Sequence, residues 1–190
     1  MPVKNIRSLV CLLLILAACR PEERSNFGVD GWSGRLLDGK SVKFADLPAR
    51  AVLLNFYSPT CQPCIAELPA LELLAREAAR REIPFYIALE PSAGAHGLTA
   101  GGSPESTFEL IRNRMLEDVQ KYNITIPVLI MDPPFQIEPG SSTVTGTPET
   151  LILSTKPLFL KYNFIGPISM SQKPREIEQE TRYQFVLERL

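Results

Sequence analysis

Residues 51–64 constrain this chain more than any other stretch. Ala51-Val52-Leu53-Leu54-Asn55-Phe56-Tyr57 is almost continuously apolar, and it runs through Ser58-Pro59-Thr60 straight into Cys61-Gln62-Pro63-Cys64. An apolar run of that length predicts a central β-strand covered on both faces. From Gln62 onward the period changes. Cys64, Leu68, Leu71, Ala75 and Ala78 fall on one helical face and Glu72, Arg76 and Arg80 on another, which predicts a helix over Gln62–Arg81, with Pro69 expected to kink it. A strand that feeds directly into such a helix sets its first cysteine beside unpaired backbone amides and the positive end of the helix dipole. Both favour a thiolate. A fall in the Cys61 pKa from about 8.5 to about 7 corresponds to roughly 2 kcal/mol and makes the attacking form abundant near neutral pH. Cys64, one turn further in, is then the natural resolving thiol, and Pro63 supports the tight helix entry while removing a competing amide.

The rest of the chain reads as alternating strands and helices. Ser33–Leu37 and Ser41–Phe44 flank Asp38-Gly39, a dipeptide suited to a tight hairpin turn. Pro84–Leu89 is a second apolar strand, followed by a Gly- and Ala-rich loop, Ser92–Gly102, that holds the single histidine, His96, and is expected to be mobile. Ser103 caps and Pro104 opens a second helix carrying Phe108, Ile111, Met115, Val119 and Tyr122 at helical spacing, a stripe expected in the core. Pro127–Met131 is a third strand, and Glu149–Ser154 with Leu158–Phe164 form a hairpin around Thr155-Lys156-Pro157. Pro174 opens a C-terminal helix, and Trp32 is expected to pack near the first hairpin. This order implies one α/β domain, a sheet covered by helices. The net charge of -1 and the lack of any long basic run argue against a nucleic-acid partner.

The first eighteen residues stand apart. Lys4 and Arg7 precede an unbroken apolar run from Leu9 to Ala18, which ends at Cys19. Ten residues make roughly 15 Å of helix, about half of a bilayer core, so a cleaved signal peptide is expected rather than a permanent span. Leu16-Ala17-Ala18-Cys19 resembles the bacterial lipobox, which implies that Cys19 becomes the lipidated first residue of an exported protein held at a membrane and facing the periplasm or cell surface. The chain thus divides into a signal peptide (1–18), a lipidated tether (19–26) and a folded domain (27–190). Loss of Lys4 and Arg7 with the signal takes the net charge from -1 to -3. Cys11 leaves with the signal and Cys19 carries lipid, so Cys61 and Cys64 remain as one self-contained pair. Outside the cytoplasm such a pair is redox-active or oxidised. A zinc site needs about four ligands, and the chain offers no second cysteine pair and one remote histidine.

Three stretches together carry a resemblance: Leu54-Asn55-Phe56-Tyr57-Ser58-Pro59-Thr60-Cys61-Gln62-Pro63-Cys64, Glu67-Leu68-Pro69, and Gly146-Thr147-Pro148 before a late strand. They resemble the thioredoxin superfamily, and within it the membrane-tethered TlpA/ResA type of thiol-disulfide oxidoreductase. The resemblance implies a thioredoxin-like three-layer α/β fold, a central mixed β-sheet flanked by helices, with an N-terminal β-hairpin. It also implies that the peptide bond between Thr147 and Pro148 is cis beside the dithiol and that the backbone before Pro148 contacts substrate. Glu67, three residues beyond Cys64 on the same helical side, is implied to exchange protons with the dithiol; the plain alternative is a solvated surface glutamate. No cofactor beyond the dithiol itself is implied, and the partners are protein thiols and disulfides together with a further redox partner.

The chain departs from that pattern in three places. Asn55 stands where thioredoxins proper have a buried aspartate, Thr60 replaces the aromatic residue often found before the first cysteine, and the Ser92–Gly102 loop has no match. The leading expectation is an oxidoreductase in which Cys61 attacks and Cys64 resolves, working in the reducing direction. A redoxin-type thiol peroxidase is the alternative on the same scaffold, although Leu54 stands where the peroxidatic motif has a proline. Outside that chemistry stand a copper-handling lipoprotein, which uses wider cysteine spacing, and a non-catalytic envelope binding lipoprotein with a structural disulfide. The anchor is testable on its own: Cys19→Ser should move the protein from the membrane pellet to the soluble fraction, and a variant that still partitions with membranes in a detergent-sensitive way would mean that the apolar segment is retained.

Overall fold

The computed structural model describes residues 28–99 and 102–190; the signal segment, Cys19 and the tether lie outside the described residues. The described chain builds one seven-stranded sheet from β1 (Ser33–Leu36), β2 (Ser41–Lys43), β3 (Ala51–Phe56), β4 (Phe85–Leu89), β5 (Val128–Met131), β6 (Glu149–Thr155) and β7 (Leu158–Ile165). Its order is β2-β1-β5-β4-β3-β6-β7. Four helices accompany it: α1 (Gln62–Arg80), α2 (Pro104–Tyr122), α3 (Pro174–Ile177) and α4 (Thr181–Leu187).

The β3-α1-β4-α2-β5 run forms two crossovers between parallel strands, whereas β6 pairs antiparallel with β3 and β7 antiparallel with β6. The N-terminal hairpin joins the same sheet, β1 pairing antiparallel with β5, so the sheet is mixed as expected. β3 lies between β4 and β6 with every residue buried, which accounts for its near-continuous apolar sequence.

Alternation along the strands divides the core in two. Leu53, Ile87, Leu89 and Ile130 face Leu71 and Leu74 of α1, Ile111 and Met115 of α2, and the C-terminal helices. Val52, Leu54, Phe56 and Leu129 face the other way, onto Val29, Phe44 of a short 3-10 turn, Phe135 and Val144. The layers are unequal: the long helices form one, and irregular segments weighted with aromatic rings form the other. Trp32 meets Phe56 and Phe135 edge-on there, and Phe56 and Phe135 stack with centroids 5.0 Å apart.

One long helix runs through its proline and the C-terminal helix departs from expectation. α1 continues through Pro69, whose missing N–H leaves the carbonyl of Ile65 without its i+4 donor. The C-terminal helix is broken in two, and the reason is geometric. Ile177 and Val186 are nine residues apart and would fall on opposite sides of a continuous helix, yet both are fully buried in the same core. The break at Glu180, in extended conformation, lets each half turn its apolar side inward.

β1 approaches β5 at Gly34, paired with Met131, where an added Cβ would lie 2.6 Å from the Ile130 carbonyl oxygen and 2.8 Å from the Leu129 side chain. No rotamer relieves a clash with backbone. Gly34→Ala should therefore lower the unfolding free energy by about 1–3 kcal/mol, read as a lower urea midpoint with an unchanged slope; an unshifted midpoint would mean that the β1–β5 pair has room to part.

Candidate functional site

β3 ends one residue before Tyr57, whose backbone N–H continues the ladder to the Ala88 carbonyl at 3.0 Å. Tyr57 is locked from its far end as well, its hydroxyl donating to Asp118 on α2 at 2.7 Å, with Arg114 donating to the second carboxylate oxygen at 2.7 Å. The chain then turns so that the Cys61 N–H donates to the Ser58 carbonyl at 3.0 Å, and Cys61 becomes the N-cap of α1. Its sulfur accepts the backbone N–H of Cys64 at 3.2 Å, doing with Sγ what a serine cap does with oxygen. The two cysteines are joined as a disulfide, with Cα atoms 5.3 Å apart. They are not equivalent: Cys61 is partly exposed, while Cys64, in the first turn of α1, is fully buried.

Glu67 lies one turn beyond Cys64 and has no exposure to water. That removes the solvated-surface alternative. Its Oε1 accepts from Asn55 Nδ2 at 2.7 Å and its Oε2 from the backbone N–H of Ile168 at 2.8 Å. Asn55 Nδ2 also donates to the Thr150 hydroxyl at 2.9 Å, so the amide bridges β3, β6 and α1. Burial raises the Glu67 pKa to about 7, against the opposing pull of its two hydrogen bonds and of Arg182. Asn55, read in the sequence only as a missing acid, is the residue that holds the acid supplied by the helix. Asn55 Oδ1 is buried without a partner.

The peptide bond between Thr147 and Pro148 is cis. The antiparallel register pairs Phe56 with Glu149, which brings Pro148 level with Tyr57, at the end of the sheet where the chain leaves for Cys61. Pro148 is buried and Thr147 partly exposed. Next to them Glu149, also buried, accepts from the Thr145 N–H at 3.0 Å and from Asn163 at 3.0 Å, bracing the turn before the proline. Nothing in the one-letter pattern marks Glu149 as more than a strand residue.

The Ser92–Gly102 loop corrects an expectation. Rather than presenting a free histidine, residues 93–96 form a 3-10 turn closed by Gly97 at φ +70, and His96 is only 2% exposed. Its Nε2 lies 2.8 Å from the Glu90 carbonyl. The loop rests on the residues before the dithiol, because the Ser58 hydroxyl donates to the Ala95 carbonyl at 2.9 Å.

The raised Glu67 pKa has a signed consequence. The unfolded carboxyl titrates near 4.5 and the folded one near 7, so the folded state binds the extra proton. This contribution is complete below pH 4.5 and is lost as pH rises through about 7, a change of up to roughly 3 kcal/mol. Urea unfolding of the oxidised protein should show wild-type stability falling over this window relative to Glu67→Gln; parallel pH curves for the two proteins would show that Glu67 is not protonated by burial.

Among the described residues no group of three or more His, Cys, Asp or Glu side chains is placed to hold a metal ion. No protein-family model matches the chain. A stretch of 46 residues is 40% identical to the thioredoxin-like protein YneN of Bacillus subtilis (strain 168), covering 24% of this chain and 27% of that protein, so the match spans about a quarter of the relative's length. Among solved structures, the chain is similar to a thiol:disulfide interchange protein of the thioredoxin family from Chlorobium tepidum TLS. That similarity has a TM-score of 0.50 and 19% identity, over 77% of this chain and 90% of that one. It is also similar to a DsbF homologue from Corynebacterium diphtheriae, with a TM-score of 0.51 and 20% identity over 77% and 81%. These likenesses and the mixed sheet flanked by helices show the fold: the chain has the thioredoxin fold, with its Cys-x-x-Cys pair at the start of α1.

Proposed function

We propose that this protein is an extracytoplasmic, lipid-anchored thiol-disulfide oxidoreductase working in the reducing direction. The observation that carries the proposal is the asymmetry of the pair: Cys61 caps a helix and is partly exposed, while Cys64 is joined to it and wholly buried. The Cys61 thiolate attacks one sulfur of a substrate disulfide, whose other sulfur leaves as thiolate. Cys64, deprotonated, then attacks Cys61, releases the second substrate thiol and closes the Cys61–Cys64 bond, so two electrons pass from protein to substrate. A thiol-bearing redox partner must return them. The fold likeness to thiol:disulfide interchange proteins supports this assignment, and so does the short match to a thioredoxin-like protein.

Glu67 is the proton exchanger in this scheme. A carboxyl with a pKa of about 7, one turn from Cys64, can take the proton from the resolving thiol and return it near neutral pH. The Asn55 amide suits both states: as it stands it donates to the carboxylate, and turned over it offers the unpartnered Oδ1 to a protonated Glu67. Thr147 supplies the backbone against which the substrate lies, with Pro148 fixing its direction. Cys19 holds the domain at the membrane surface through lipid; among the described residues no helix is long and apolar enough to cross a membrane.

The two cysteines should fail differently. Cys64→Ser should accumulate mixed disulfides with envelope proteins, because attack proceeds and release does not, whereas Cys61→Ser should accumulate few; both should lower insulin reduction to background. If Cys64→Ser captures nothing and the native pair is alkylated only after denaturation, the disulfide is structural and the binding-lipoprotein alternative takes its place.

A further inference from the structure

Arg182 bears on the exchange site from the C-terminal end of the chain. It lies in the first turn of α4, next to Tyr183, which is 3% exposed and anchors that helix in the core. From there its Nε donates to the Pro167 carbonyl at 2.9 Å, and its Nη2 to the Ile165 carbonyl at 2.8 Å and the Gly166 carbonyl at 3.4 Å. One guanidinium thus holds three successive carbonyls. A planar fork of N–H donors can do this, whereas a lysine ammonium is a point charge and fixes no such geometry.

Those carbonyls belong to the turn that leaves β7. Gly166 at φ +82 swings the chain out of the strand, and Pro167 has no N–H, so no strand ladder continues through it. The N–H groups on either side of Pro167 both meet the exchange site. That of Gly166 donates to the Pro148 carbonyl at 2.9 Å, and that of Ile168 to Glu67 Oε2 at 2.8 Å. A buried carboxylate that loses such a donor is costly, so the position of Ile168 bears on when Glu67 gives up its proton. The Arg182 charge also favours the carboxylate, although water screens it because the side chain is exposed. β3 and β6 meet Glu67 through the uncharged Asn55 and Thr150, and the cysteines one turn back on α1 carry no charge while joined as a disulfide.

We propose that Arg182 is a positioning residue for proton exchange: its fork fixes residues 165–167 so that the next N–H, that of Ile168, stays on Glu67. This role rests on Glu67 being the proton exchanger of the dithiol.

Two measurements separate the tie from its use. In oxidised protein isotopically labelled at its glutamate carboxyl carbons, the Glu67 resonance, assigned by its absence from Glu67→Gln, should titrate near pH 7. Arg182→Gln should move that midpoint up by about one unit, the scale of one weakened hydrogen bond to a charged group. Arg182→Lys, which keeps the charge and loses the fork, should move it up by about half as much. The second measurement mixes reduced protein with Ellman's reagent. Cys61 attacks the reagent disulfide and one thionitrobenzoate leaves; Cys64 then attacks Cys61 and the second leaves, in a phase whose rate does not depend on reagent concentration. At pH 7 this second phase should be about five-fold slower in Arg182→Gln, as a midpoint one unit higher requires. In the Glu67→Gln background the same substitution should slow it no further. A wild-type midpoint in either Arg182 variant, the lysine variant deciding alone if the glutamine variant does not fold, or equal slowing with and without Glu67, would overturn the positioning role. A second phase as slow in the wild type as in Glu67→Gln would instead overturn proton exchange by Glu67, while a shifted midpoint would leave its tie to Arg182 standing.

Discussion

Glu67 is a carboxyl group without contact with water, held by an amide from the central strand and a backbone N–H from the segment after β7. An unpaired group of this kind would cost several kcal/mol, so its partners cannot be moved independently. Through it, α1 is pinned to β3 by Asn55, to β6 by the Thr150 hydroxyl on the same amide, and to Ile168 in the segment after β7. Those are the elements that hold Cys61, the cis proline and the C-terminal helices. The acid proposed to exchange protons with the dithiol is also a tie that fixes where the dithiol stands.

The unequal covering of the sheet follows from the connections. Both crossovers that step β3 to β4 to β5 run in one direction along the sheet, so right-handed connection puts α1 and α2 on the same face. The other face is left to whatever precedes β3 and lies between β5 and β6. Those segments contain Phe44, Phe135 and Val144, and they protect the strands with stacked and edge-on rings rather than a helix. The same β5–β6 segment ends in Thr147 and Pro148, so the layer that shields the core also delivers the cis proline to the strand end beside Tyr57.

Around the cysteines, rigidity is distributed over several small contacts. Tyr57 is fixed at both backbone and hydroxyl, Ser58 holds the Cys61 amide and the Ala95 carbonyl, and Glu149 braces the turn into Pro148. Each bond is modest by itself. Together they place the exposed sulfur at a helix start and leave little freedom in the walls beside it.

The sequence by itself determined the strand-to-helix junction, the dithiol, the order of elements and the core stripe of α2, because apolar periodicity and N-cap and turn residues act locally and show in any one segment. The motif Gly146-Thr147-Pro148 was legible only through the family resemblance that its residues carry. Only the tertiary structure decided whether Glu67 is a surface charge or a buried acid, since its helix pattern is the same in both cases and the answer lies in Asn55 and Ile168, 12 and 101 residues away. The same holds for His96, which glycine-rich surroundings marked as mobile and which packing buried, and for the C-terminal helix, which broke so that Ile177 and Val186 reach one core. Local pattern reports what a segment can form; burial and hydrogen-bond partners are set by residues far along the chain, and these determine a group's charge, its accessibility and its chemistry.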